Sequence, residues 1–244
     1  MKIKSKWFYT EFKNDTQAVV LLAHGLNLHP QKMDQLASFF NKNKCDVLRI
    51  ALGNNPNEWC DKFSDDVEAV VEHAHILERP LYFVGFSLGA LVGIHYMAKH
   101  AHQEFTKAAL FAPATHTKMY TRIPSLLFNF FPKGSLPSLN LVDYREREKT
   151  KLSEYRKMHE LQKEIKYYQI NIPTLLILNP KDELVASSQV ALFAAHNKHS
   201  KVFNISNEDS PLSKKYHHLM IDENSLGHSA WKKILHNLTE HFSL

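Results

Sequence analysis

The chain is predicted to fold as an α/β protein, a mainly parallel sheet with helices on both faces, on three observations. Short apolar runs alternate with helical stretches along most of its length. The runs are apolar throughout, as expected of strands buried on both faces of a parallel sheet. One of them, residues 81–84, leads directly into a helical stretch, 88–100, through Gly85-Phe86-Ser87-Leu88-Gly89.

In chain order, residues 6–12 read as a strand and Asn14-Asp15 as a turn. Residues 18–23 (AVVLLA) are the first buried strand, ending in His24-Gly25-Leu26-Asn27. A helix is expected from about 32 to 43, a strand over 47–52, and a longer helix over 58–75. That helix carries Phe63, Val67, Val70, Val71 and Ala74 at helical spacing. After the strand into Ser87 and its helix come strands over 107–112 and 174–178. A helix near 187–196, a strand over 201–205 and a helix over 229–242 complete the alternation. Residues 1–244 are therefore expected to form one domain.

One segment breaks the alternation. About 60 residues separate the strand ending near Pro113 from the one starting at Thr174, far more than a usual βα connection. Its first half is apolar and aromatic (Ile123, Leu126, Leu127, Phe128, Phe130, Phe131), and 144–168 reads as a charged helical stretch. Because the segment leaves the sheet at its carboxyl edge, where ligands bind in such folds, residues 114–172 are expected to form a cap. Phe128 and Phe131 are expected to wall an acyl chain.

Composition narrows the chemistry. Lysines and arginines are interleaved with acids and the net charge is only +5, so no nucleic-acid stripe is present. Cys45 and Cys60 show neither metal nor redox spacing, which suits a reducing compartment. The opening residues carry no apolar h-region, and no run of eighteen apolar residues exists, so a cytoplasmic location without stable membrane insertion is expected. The mild positive charge is compatible with transient contact with a lipid surface.

The strand-turn-helix around Ser87 is a steric device. A serine there projects at the carboxyl edge of the sheet, and residues 85 and 89 must be small to clear the neighbouring helix and strand. The turn also aims the Leu88 amide, at the helix N-terminus, at the place where an oxyanion would form. A serine hydroxyl needs a base and an orienting acid. Asp182, in the loop after the strand 174–178, is the candidate acid; the adjacent Glu183 reads as a helix-start or solvated carboxylate. Tyr216-His217-His218 lies between the last strand and last helix and offers two candidate bases. The Leu26 amide is placed to give a second oxyanion donor, while His24 precedes the serine and reads as a brace for its own loop.

Together His24-Gly25-Leu26, Gly85-Phe86-Ser87-Leu88-Gly89, Pro180-Lys181-Asp182-Glu183-Leu184-Val185 and His217 with Asp222 five residues on resemble the α/β-hydrolases. Within them the chain is most similar to small carboxylesterases, monoacylglycerol lipases and lysophospholipase-like enzymes. The resemblance runs from about residue 18 to the end. It implies an α/β-hydrolase fold with a helical cap, nucleophile Ser87, acid Asp182, and oxyanion donors Leu26 and Leu88. The family's histidine often stands five residues before an acid, which implies His217 as base with His218 as the alternative. It further implies hydrolysis of a small-molecule acyl ester through an acyl-enzyme, without metal or organic cofactor, by a monomer or homodimer. An acyl-thioesterase on the same fold is the alternative activity, and a catalytically silent binding protein the alternative class.

Overall fold

The computed structural model describes residues 8–10, 15–100, 104–165, 168–206, 210, 212 and 215–244. The strands and helices, in order, are β1 (Phe8–Thr10), β2 (Ala18–Ala23), α1 (Asp34–Lys42), β3 (Cys45–Ile50) and α2 (Trp59–Ile76). Then come β4 (Leu81–Phe86), α3 (Leu88–Lys99), β5 (Lys107–Phe111) and α4 (Ile123–Leu127). β6 (Ser135–Pro137), β7 (Lys149–Lys151) and α5 (Leu152–Glu164) follow. The chain closes with β8 (Thr174–Leu178), α6 (Ser187–Ala195), β9 (Ser200–Asn204), α7 (Glu223–Leu226) and α8 (His228–Phe242).

The main sheet has the order β1-β3-β2-β4-β5-β8-β9. Every pairing is parallel except the edge strand β1, which runs antiparallel to β3. The expected strand over 6–12 is thus present at 8–10, and its remaining residues lie outside those described. Alternate residues of a strand point to opposite faces. Ala18, Val20 and Leu22 of β2 accordingly enter one core layer with Leu36, Phe40, Val190, Ile234 and Leu238 from α1, α6 and α8. Val19, Leu21 and Ala23 enter the other, with Phe63, Val67, Leu91, Ile94 and Leu161 from α2, α3 and α5. β2 therefore needs apolar residues at every position, which is why its sequence shows no period-two pattern.

From β2 the chain moves outward to β3, then crosses back to β4 on the other side of β2. At such a reversal the loops after two adjacent strands diverge and leave a crevice at the carboxyl ends. The loop after β2 and the Ser87 turn after β4 flank that crevice.

The 114–172 segment differs in part from expectation. Its charged second half does not begin as helix at Tyr144; β7 pairs antiparallel with β6, and α5 starts only at Leu152. The turn into α5 is fixed by Glu154, fully buried, whose carboxylate accepts from the Lys151 amide (2.7 Å) and from the Arg147 guanidinium (2.6 Å). These bonds satisfy an otherwise orphaned helix N-terminus.

The two glycines of the pentapeptide are needed for close approach. A Cβ on Gly85 would sit 2.6 Å from the Ala90 Cα. One on Gly89 would overlap the Ala23 carbonyl oxygen and stand 2.6 Å from the His24 oxygen. Both obstacles are backbone, so neither can swing away. Gly89→Ala is therefore expected to lower unfolding stability by about 3 kcal/mol, the scale of overpacking in a rigid core, read as a lower denaturation midpoint at unchanged m-value.

Candidate active site

Ser87 has φ 51° and ψ −110°, a left-handed conformation that costs a non-glycine residue about 1–3 kcal/mol. It is over-determined by its surroundings. The Ser87 N–H donates to the Phe111 carbonyl of β5 (2.9 Å), and its carbonyl accepts from the Leu91 and Ala114 amides (both 3.1 Å). The turn is held by the neighbouring strand, by α3, and by Ala114 in the loop that follows β5.

Ser87 Oγ lies 2.9 Å from His218 Nε2, and His218 Nδ1 lies 2.8 Å from Asp182 Oδ2. The expectation that His217 would stand beside Ser87 is therefore corrected to His218. Adjacent side chains diverge along the loop, so only one of the pair can face Ser87. The reason for the choice is Glu183, whose Oε2 accepts both the His217 amide (2.7 Å) and the His218 amide (3.0 Å). Glu183 is thus no solvated or helix-start carboxylate. It clasps the backbone of the double histidine and sets its register. No sequence periodicity announces this; the only signal was a second acid immediately beside Asp182.

Asp182 is fully buried, and its other oxygen accepts from the amides of Leu184 (2.7 Å) and Val185 (2.8 Å). With both oxygens engaged, the carboxylate is fixed in orientation and accepts the His218 Nδ1–H, leaving Nε2 to accept from the Ser87 hydroxyl. Phe86 packs against the imidazole with its ring tilted by 38°, centroids 5.1 Å apart. Burial alone would lower the His218 pKa, but the charge and hydrogen bond of Asp182, with the charge of Glu183, together raise it above 6.5.

The loop after β2 is braced as expected. His24 donates from Nδ1 to the Gly25 carbonyl (2.7 Å) and accepts at Nε2 from the Leu52 amide (3.1 Å). Burial lowers its pKa to about 4, so it stays neutral in that tautomer. Asn27, with φ 50°, turns the loop, and its side chain donates to Ser138 Oγ, the Arg147 carbonyl and Thr150 Oγ1 while accepting from the Arg147 amide. Asn140 returns the contact, its Nδ2 donating to the carbonyls of Leu26 (2.8 Å) and Asn27 (3.0 Å). The Leu88 amide opens α3, where the first N–H groups have no intrahelical acceptor.

A cleft with about 550 Å³ of empty space, counting its mouth, opens over Ser87 and His218. Its apolar wall comes from Leu26, Phe86, Leu139, Tyr155, Met158 and Val185, with hydroxyls of Thr117, Thr121 and Thr150. Phe128 and Phe131, expected in this wall, are not part of it. Phe131, beyond the end of α4, is 62% exposed, and α5 supplies Tyr155 and Met158 to the cleft instead. Asp222 likewise stands apart from Ser87. It caps α7 through the Ser225 amide (2.8 Å) and accepts the Tyr144 hydroxyl (2.9 and 3.0 Å). Among the described residues no group of His, Cys, Asp and Glu is arranged to hold a metal ion. No described helix is long and apolar enough to cross a membrane.

The sequence model of the family described as serine aminopeptidase, S33, matches residues 14–167, more than half of the chain. The chain belongs to this family of α/β-hydrolases. No curated protein matches the chain by sequence. Its structural relatives include a metagenome-derived lipolytic enzyme of the LipS and LipT pair (TM-score 0.72, 17% identity, 98% of each chain). The Saccharomyces cerevisiae monoglyceride lipase, as a soluble variant with a substrate analog, aligns at TM-score 0.76 and 11% identity over 96% of this chain and 89% of that one. The Paleococcus ferrophilus monoacylglycerol lipase aligns at TM-score 0.69 and 15% identity over 97% and 99%. At such identities the likeness is one of fold.

Titration gives a direct check on the site's electrostatics. The His218 imidazole should titrate above 6.5 by NMR in the wild type. In Asp182→Asn, with the dominant raising charge gone and burial unchanged, it should fall below 6.5. An unshifted resonance would mean that Asp182 does not govern the ring.

Proposed function

We propose that the protein is a serine hydrolase that cleaves carboxylic esters of acyl chains through an acyl-enzyme. The observation that carries this reading is the continuous hydrogen-bonded line from Ser87 Oγ through His218 to buried Asp182, opening into an apolar cleft. The 114–172 segment serves as its cap, contributing Leu139, Tyr155 and Met158 to the acyl wall.

In the proposed mechanism neutral His218 takes the Ser87 proton at Nε2 as Oγ attacks the ester carbonyl. Asp182 stabilises the imidazolium at Nδ1. The amides of Leu26 and Leu88 hold the tetrahedral oxyanion, one from the loop after β2 and one from the N-terminus of α3. The imidazolium then gives its proton to the leaving alcohol, and the acyl group remains on Oγ. Water, deprotonated by the same Nε2, attacks the acyl-enzyme; the acyl–Oγ bond breaks, the imidazolium returns the proton to Ser87 Oγ, and the acid is released.

The family's description names an aminopeptidase, yet the cleft favours an ester. A peptide's N-terminal ammonium would need a carboxylate beside Ser87, and no Asp or Glu lines the cleft among the described residues. Hydroxyl and amide groups on an otherwise apolar wall suit an acyl chain with a small polar leaving group. Lipases and esterases among the structural relatives agree with that reading.

A chain-length series of p-nitrophenyl esters tests it. Wild type should turn over, while Ser87→Ala and His218→Ala each lose roughly 10³-fold or more in kcat. His217→Ala should retain activity within about threefold, since its amide contact to Glu183 survives the substitution. The acid limb of kcat/KM should inflect above pH 6.5, because the base works only when deprotonated and its pKa is raised. Wild type inert to all esters, with Ser87 unlabelled by a fluorophosphonate, would sink the hydrolase reading.

A further inference from the structure

A second groove adjoins the cleft on the other side of α5. It is lined by Arg122, Arg156 and Lys163, with His116, His159 and the hydroxyls of Thr115 and Ser125. The two sites share a wall. Ala114 lines the cleft and Thr115 the groove; Tyr155 and Met158 of α5 face the cleft while Arg156 and His159 face the groove. Gln162, in the groove, donates to the Ala114 carbonyl (2.6 Å) and to Thr117 Oγ1 (3.3 Å) across that wall.

The charges in the groove are unbalanced. Glu160 is its one carboxylate and is already engaged by Arg156, Nε to Oε1 at 2.7 Å. Among the described residues Arg122 and Lys163 have no acidic partner. His159 is 92% buried, given its 8% exposure, yet its Nε2 has no hydrogen-bond partner among the described residues. Such a group costs stability unless something else satisfies it. Burial, reinforced by Arg122, Lys163 and Arg156, lowers its pKa to about 4, so the ring is neutral and the local field is positive. Cations with hydroxyl donors suit a tetrahedral oxyanion that accepts several hydrogen bonds, and guanidinium forks match phosphate geometry.

We propose that this groove binds the phosphate of a phosphate-bearing acyl ester whose acyl chain enters the adjoining cleft to reach Ser87. The acyl part rests on the ester-hydrolase reading; the phosphate is a handle and no bond to phosphorus changes. Hydrolysis of such an ester consumes one water and yields the free acid and the phosphorylated alcohol.

Calorimetry with inorganic phosphate and with glycerol 3-phosphate tests the groove without any turnover. Both should bind the wild type, and Arg122→Ala and Lys163→Ala, changes at exposed side chains, should each weaken binding roughly tenfold. The His159 ring resonances should move on adding phosphate to the wild type. The ratio of kcat/KM for a 1-acylglycerol 3-phosphate over the uncharged 1-acylglycerol should fall about tenfold in the same variants. Cosedimentation with phosphatidic acid vesicles, but not phosphatidylcholine ones, would assign the handle to a lipid headgroup; binding of soluble phosphate esters alone would assign it to a soluble substrate. Absent or variant-insensitive phosphate binding in a protein that hydrolyses uncharged esters would overturn the groove alone, as would an unmoved ratio. Phosphate binding in a protein inert to every ester would instead overturn the hydrolase reading and, with it, the assignment of the phosphate to a substrate.

Discussion

The site depends on how closely α3 can approach the carboxyl end of β2. Only a residue without Cβ at position 89 lets the first turn of that helix lie against the Ala23 and His24 carbonyls. That approach sets the Leu88 amide beside the loop carrying Leu26. It also fixes the turn that forces Ser87 to a positive φ. The hydroxyl is then held on a rigid corner, so its partner must come to it. The long loop after β9 supplies that partner, and Glu183 and Asp182 hold it from two sides. Strain at one residue is thus supported by hydrogen bonds from β5, α3 and the following loop.

Burial shapes the electrostatics around this corner in opposite directions. His24 and His218 are both buried histidines. His24 hydrogen-bonds only to backbone groups and stays neutral, which makes it a fixed strut. His218 meets a buried carboxylate with a second nearby, and their charge overcomes the cost of desolvation. The difference between a strut and a group able to move protons lies in neighbours from another loop, not in the histidine or its depth.

Much of this was legible in the chain. β2 and β8 have the bounds their apolar runs predict, because strands buried on both faces leave no other reading. The Ser87 turn was legible because its steric demand is local, written in two glycines four residues apart. Asp182 followed from its place after a strand. The histidine beside Ser87 was not legible: which of the two adjacent rings faces the serine depends on backbone amides donating to Glu183, 34 residues away for His217, and no local pattern encodes it. The apolar run in 123–131 misled for a related reason. Its hydrophobicity suggested an inward wall, yet α4 ends at Leu127, Phe130 and Phe131 beyond it are exposed, and α5 lines the cleft with Tyr155 and Met158. The Asn27 network was hidden altogether, since it joins residues more than 100 positions apart.

That network bears on how the segment above the sheet can vary among related proteins. Asn27 and Asn140 stitch the loop holding Leu26 to Ser138, Arg147 and Thr150, so that loop takes its shape from the segment above it as much as from β2. Tyr144 adds a second seam to the body at Asp222. A roof joined to the floor in this way is no interchangeable part. Transplanting 114–172 from a relative would also carry away the scaffold of the loop beneath it. Changes at Leu139, Tyr155 and Met158 would instead reshape the cleft and leave these seams in place.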